Sequence, residues 1–396
     1  MKEILLFIVL FEFFVFCFVK INRKKYPWLI TRVDERPNFT DELLEKFFNN
    51  SFDLDLGWVK RANSSGIENG KKRQVSFNIG PDGARLSAFK GRHKIAVFGD
   101  SYAFCRQVND DEAWPHLLSV EYGLGSKNFG VGNYGFDQAL VRYEKIDLPD
   151  SVETVLIAVV PETICRIHST WKHYLEFGNI LGFKPRFEHD ENGVLQIRKN
   201  VISGKSSFDD FDEILKTVQA DDYFYKRKFK KMLFKFPYSF CFLKNPQRNI
   251  ELFASIVLDK IAKLNRKKED TSGDNSVFSV IMKYNLKQSH KMYNEHNPAA
   301  LLASQMRKFV KLAQSRRHRA IVVVLPQMGD LSAVKSRKNY QRFFSCLGNE
   351  MEVLDLTDQF LEFQSSDLYI DDQYGGHLSV FGNSLVAHAL SKKLSL

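Results

Sequence analysis

Ser101, in the run "VFGDSYAF", and His377, in "GGHLSVFGN", are residue types that together can split an ester through a covalent intermediate. A serine hydroxyl is a poor nucleophile until a base takes its proton, so the serine counts only if the fold brings an imidazole to it. Ser101 follows "KIAVFG", which reads as a strand. Residues just past the carboxyl ends of parallel strands line the ligand crevice of an open sheet. At such a turn a serine exposes its hydroxyl and offers a backbone N–H to an anion. The plainer role for Asp100 or Ser101 is to cap the turn that follows. His377 lies just before the last helical pattern and would reach the same edge, although alone it reads equally well as a loop or capping histidine. The pair is what points to chemistry.

A third stretch, "GVGNYG" at 130–135, fits G-x-G-x-x-G. As a dinucleotide fingerprint it needs a strand–turn–helix setting and an acid about 20 positions on. The acid comes late, at Glu162, and that reading leaves "IAVFGDS" without a role. The alternative is a loop whose glycines let a backbone N–H, from Asn133 or Gly132, face a developing oxyanion. That reading uses both segments.

The elements that must position these groups follow from the hydrophobic pattern. Strand-like runs occur at 94–99, 127–131, 154–160, 320–326 and 352–357, with helical patterns near 112–123, 136–146, 299–316, 334–346 and 381–393. Buried strands alternating with helices predict an α/β fold: a doubly wound parallel sheet of about five strands flanked by helices. A long interruption at roughly 165–298 reads as a helical insertion, a lid or docking surface. It holds a hairpin around Asp190–Gly193, the basic aromatic stretch "DDYFYKRKFKKMLFKFPYSF", expected to be helical, and the charged linker "NRKKEDTSGDNS". Ahead of the sheet domain at 94–396, a lead-in over 26–93 is turn-rich, with a capped helix in "PNFTDELLEKFF" and a turn at Pro81-Asp82-Gly83.

With 44% hydrophobic and 13% aromatic residues, the 396-residue chain can bury a substantial core and is not of disordered composition. A net charge of +10 suggests anionic surroundings such as acidic lipid, glycan or nucleic acid. Zinc-finger spacing and RNA-binding aromatic motifs are missing, so no nucleic-acid partner is expected. Five scattered cysteines give neither a metal signature nor a disulfide framework, and no cofactor is expected. Cys105 and Cys165 read as buried thiols, His168 and His173 miss the spacing of a helical metal pair, and His388 is expected to pack. Residues 4–19, "ILLFIVLFEFFVFCFV", are apolar but for Glu12. Only Lys2 gives positive charge before this run, with the basic cluster after it, and no small-residue cleavage site is present, which predicts an uncleaved membrane anchor over 1–25. Lys20, Arg23, Lys24 and Lys25 would hold the body on the cytoplasmic side.

Four blocks, in order across about 95–390, resemble the SGNH hydrolase superfamily, the GDSL-like esterases. They are "VFGDSYAFCRQVNDDEAWPHLL", "NFGVGNYGFDQAL", "VVPETICRI" and "GGHLSVFGNSLVA". The resemblance implies an SGNH/flavodoxin-like sheet with Ser101 as nucleophile, His377 as base and Asp372 orienting it. It also implies an oxyanion hole from the N–H groups of Ser101 and of Asn133 or Gly132, helped by Thr163. Thr163 stands where the family carries Asn, and Tyr374 where it carries Asp, the nearest carboxylates being Asp371 and Asp372 with Asp367 behind. The lead-in, from "DLDLGWVKRAN" to "GPDGARLSAF", is similar to that of membrane-anchored bacterial members. Many of these act on O-acyl groups of cell-surface polysaccharides. The implied partner is therefore an acylated carbohydrate or small ester, with the body in the cell envelope, against the flanking charges. Hydrolysis and transfer of the acyl group to a sugar both fit. A third possibility is a non-catalytic, membrane-tethered module holding a glycan or protein on 223–243.

Overall fold

A computed structural model describes residues 2–70, 73–265, 275–370 and 376–395. The chain divides into two compact units. One comprises Asn49–His168, Pro185–Asn200 and Leu286–Leu396 and holds the sheet; the other comprises Met1–Phe48, Ser169–Lys184 and Val201–Asn285 and is rich in aromatic contacts.

The sheet unit opens with an antiparallel hairpin, β1 (Ser64–Asn69) and β2 (Gln74–Ile79). Five parallel strands follow: β3 (Ile95–Gly99), β4 (Ser126–Asn128), β5 (Thr154–Val159), β6 (Arg319–Val324) and β7 (Glu352–Asp355), in the order β7-β6-β5-β3-β4. This is the α/β architecture that the alternation of runs predicts. Both faces of β3 and β5 are covered, which is why their sequences are unbroken apolar runs without alternation. The first strand of the sheet lies between the second and the third, so the connections diverge at the carboxyl ends of β3 and β5. That is the switch point at which open sheets of this kind bind ligands. The regular strand ends at Asn128, but the run 127–131 stays beside β3: the N–H groups of Phe129 and Val131 donate to the Val97 and Gly99 carbonyls at 2.7 and 3.0 Å. Helices Trp114–Glu121, Phe136–Lys145, His296–Ser315, Arg337–Leu347 and Val380–Leu394 lie near their expected positions.

In the other unit, helix α1 (Lys2–Asn22) is long and apolar enough to cross a membrane. The helices expected over 223–243 are present but short, with a break at 233–237. A π-turn at Tyr225–Phe229 and a short turn at Lys230–Met232 come first, and the helix resumes only at Tyr238–Leu243. Pro237 explains the break: it has no N–H to give and disfavours helical geometry at the residue before it. Trp171 stacks on Phe183, with ring centroids 4.8 Å apart, at the heart of this unit's aromatic packing.

Candidate active site

Gly99 ends β3 with φ +143, and a Cβ there would lie 1.9 Å from the carbonyl oxygen of Ala158 on β5. Only glycine lets the strand turn so sharply at this close approach. Asp100 follows as N-cap of a single helical turn, α2 (Ser101–Phe104), and its Oδ1 accepts the Tyr102 N–H at 2.8 Å. Capping thus falls to Asp100, and the Ser101 hydroxyl remains available. The Ser101 Oγ lies 2.9 Å from His377 Nε2, with both residues nearly buried. His377 is held on a two-residue antiparallel pair, β8 (Tyr369–Ile370) with β9 (His377–Leu378), where it faces Ile370. The helix that follows, Val380–Leu394, is capped by Ser379, whose Oγ accepts the Gly382 N–H at 3.0 Å.

Tyr102, which the sequence gave no reason to select, closes the other side of the imidazole. Its ring centroid is 5.2 Å from that of His377, and its hydroxyl donates to the Gly376 carbonyl at 2.6 Å. Burial raises the Tyr102 phenol well above its ordinary pKa, so it stays a donor. Asp372 and Tyr374 lie outside the described residues.

Asp100 is completely buried. Its Oδ2 accepts the Val160 N–H at 3.0 Å and faces Arg166 Nη1 at 3.2 Å. Burial pushes this carboxyl up, against the opposing pull of Arg166 and the backbone donors. Arg166 also binds Glu162 Oε2 at 2.8 Å and the Tyr134 carbonyl at 3.2 Å. One guanidinium therefore ties together three of the four sequence blocks. Sequence reasoning missed it, although Glu162 and Arg166 stand four apart in "ETICR", the spacing of an ion pair on one helical turn.

Residues 130–135 form the loop facing the nucleophile turn. A Cβ on Gly130 would meet the Phe104 nitrogen at 2.3 Å, and one on Gly135 would meet Arg166 Cβ at 3.1 Å, whereas Gly132 has open space. The glycines thus serve close packing at two positions and an opening at the third, and β4 beside them is an edge strand, not the first strand of a nucleotide unit. The Tyr134 N–H closes a turn onto Val131 O at 3.3 Å with Asn133 at φ 71, a left-handed position that asparagine tolerates. Gly132 and Asn133 are the half-buried members of this loop. Thr163 is fully buried, and its Oγ1 accepts the Phe136 N–H at 2.8 Å. It props the loop from below through the start of the next helix.

The segment ahead of β3 also reaches the site. Arg85, nearly buried, donates to the carbonyls of Phe104 (2.6 Å), Cys105 (2.8 Å) and Val108 (2.6 Å) and to Asp110 Oδ1 (2.7 Å). Trp58 Nε1 donates to Gly132 O at 3.0 Å. The Cys105 thiol, pushed up to about 12 by burial, is inert beside the nucleophile turn. Cys165 is buried as expected, with its Sγ 3.5 Å from Met292 Sδ. His168 is buried as well, and His173 lies in the other unit. His388, expected to pack, is exposed, its Nδ1 3.3 Å from the Tyr122 hydroxyl.

No family model and no curated protein matches this chain. Solved structures similar to it include a lipolytic protein of the G-D-S-L family from Desulfitobacterium hafniense, at 12% identity and TM-score 0.33, covering 76% of this chain and 98% of that one. A member of the same lipolytic family from Veillonella parvula gives 10% identity and TM-score 0.33, covering 76% and 97%. A variant of Axe2, an acetyl-xylooligosaccharide esterase from Geobacillus, gives 11% and 0.34, covering 78% and 96%.

Proposed function

We propose that this protein is a serine ester hydrolase or acyltransferase acting on O-acyl groups of a carbohydrate. The observation that carries the reading is the 2.9 Å contact between Ser101 Oγ and His377 Nε2 at the switch point of a parallel sheet. Ser101 Oγ attacks the ester carbonyl while His377 Nε2 takes its proton and returns it to the departing alkoxide. The negative charge formed on the carbonyl oxygen is met by the N–H groups of Ser101 and of Asn133 or Gly132; one such donor is worth about 100- to 1,000-fold in rate. The acyl-enzyme is then opened by water, or by a sugar hydroxyl, with His377 again taking the proton. Asp372 is the proposed orienting carboxylate. The carbohydrate ester as substrate rests on the block resemblance, and the helix Lys2–Asn22 is proposed to tether the enzyme to a membrane.

The test is a fluorophosphonate probe on the full-length protein beside Ser101→Ala. Labelling of the wild type that vanishes in the variant supports the activated serine, and folded wild-type protein that takes no label overturns it. Mass spectrometry of an acetylated donor incubated with and without a free sugar then separates hydrolysis from transfer.

A further inference from the structure

We propose that the chain meets the bilayer at a second place. The segment Phe236–Leu243 and the outer stripe of the following helix lie against acyl chains beside α1. This rests on reading α1 as a membrane anchor.

Three observations within one unit lead there. The first is Glu12, the one charge in the middle of an otherwise apolar helix, where a bare carboxylate would be costly. It is fully engaged: its two oxygens accept the N–H groups of Tyr238 and Ser239, each at 2.7 Å, and the Ser239 hydroxyl at 2.7 Å. Glu12 thus caps the helix Tyr238–Leu243, which packs level with residues 11–16 of α1 through Phe11 on Phe242 (5.6 Å) and Phe16 on Tyr238 (5.3 Å). Those residues are the middle of the candidate span. Whatever holds α1 in lipid holds this second helix at the same depth.

The second observation is what that helix shows to the outside. Phe236 (76% exposed), Phe240 and Leu243 (59% each) leave most of their surface uncovered. The third is the next helix, Pro246–Asn265. Its inner face packs Leu252, Phe253 and Ile256 into the cluster with Val15 and Val19, and Phe253 stacks on Phe18 at 4.0 Å. Its outer face carries Ile250, Val257, Leu258, Ile261 and Leu264, all exposed and recurring at helical spacing. A helix in water keeps its outer face polar, whereas here Gln247 and Lys260 alone are polar among the exposed residues of 246–264. α1 and these two helices expose large apolar side chains in runs, where a soluble surface carries them singly.

The cations fit a lipid occupant. Lys235 and Lys244 flank the exposed run, and Lys244 lies with its ammonium 4.9 Å from the Phe240 ring. Such side chains bury their stems in the apolar layer and lift their charge toward headgroups. Lys20, Arg23, Lys24 and Lys25 supply the same chemistry at the end of α1. Non-helical backbone at membrane depth is tolerated only where protein satisfies it, and Glu12 does so for the turn at Pro237.

The experiment places the full wild-type protein, one copy per nanodisc, in phosphatidylglycerol–phosphatidylcholine bilayers whose acyl chains carry a mid-chain diazirine. Photolysis is followed by peptide mapping. The expected result is lipid adducts on both Phe7–Phe14 and Phe236–Leu243, with further adducts on Leu258 and Ile261. Adducts on α1 alone would overturn the proposal and leave the anchor reading standing. Adducts on neither segment would overturn both. Protection of Phe240 from water-borne radicals in nanodiscs holding two copies but not one would assign the face to a second copy of the chain and overturn lipid as its occupant.

Discussion

Two buried sites, one in each unit of this protein, handle charge in opposite ways. In the sheet unit a full ionic network, Asp100–Arg166–Glu162, is sealed beneath the nucleophile turn. In the aromatic unit the buried histidine is kept neutral. His173 Nε2 donates to Asp34 O at 2.9 Å and its Nδ1 accepts from Gly178 N at 3.3 Å, both bonds being those of the uncharged ring. Burial holds its pKa down to about 4. Beneath the Ser101 turn, charge is buried and bound from several directions. At His173, packed among rings, the charged form of the ring is excluded. The first arrangement yields to removal of one partner, and the second to acid.

The comparison can be broken most severely at Ser101. Ser101→Ala should lower turnover of an ester substrate by about 10,000-fold or more while leaving the denaturant midpoint in place. Arg166→Met keeps the bulk but strands two buried carboxylates, and should cost about 3–5 kcal/mol in urea unfolding of the sheet unit. A loss below about 1 kcal/mol would mean that the network does not hold the turn.

In the aromatic unit the perturbation is acid. His173 is neutral in the fold and its folded pKa lies below its unfolded value, so its contribution to stability is complete above about pH 6.5 and drains away towards pH 4, by about 3 kcal/mol in all. Hydrogen exchange over residues 169–184 reads this loss, and His173→Gln should flatten the profile between those pH values. The smallest effect is expected from Tyr102→Phe, which removes the bond to Gly376 O. It should cost about 1 kcal/mol, a fivefold fall in kcat with KM little changed, because the hydroxyl steadies the backbone beside His377 without touching substrate.

Much of the sheet unit was legible, because strands covered on both faces must be apolar throughout and their spacing leaves room only for helices between. The Ser101–His377 pair was legible for a related reason: residue type and position relative to a strand end are both written in the chain. Arg166 and Tyr102 were not. Their roles come from partners 66 and 274 positions away in sequence, and such closeness is a product of the fold. Thr163 was assigned to the oxyanion from its alignment with the block; the fold adds that it is buried and that its Oγ1 accepts the Phe136 N–H. The break between the short helices at 233–237 is written in Pro237.

Arg85 has a practical consequence for anyone who shortens this protein. A chain begun at the first strand of the parallel sheet would retain all four sequence blocks and would look complete. It would nonetheless release the carbonyls of Phe104, Cys105 and Val108 from their shared donor, and Gly132 from Trp58. A fragment that keeps these bonds therefore starts ahead of Trp58, and the stretch that looks like a preamble to the four blocks is part of their frame.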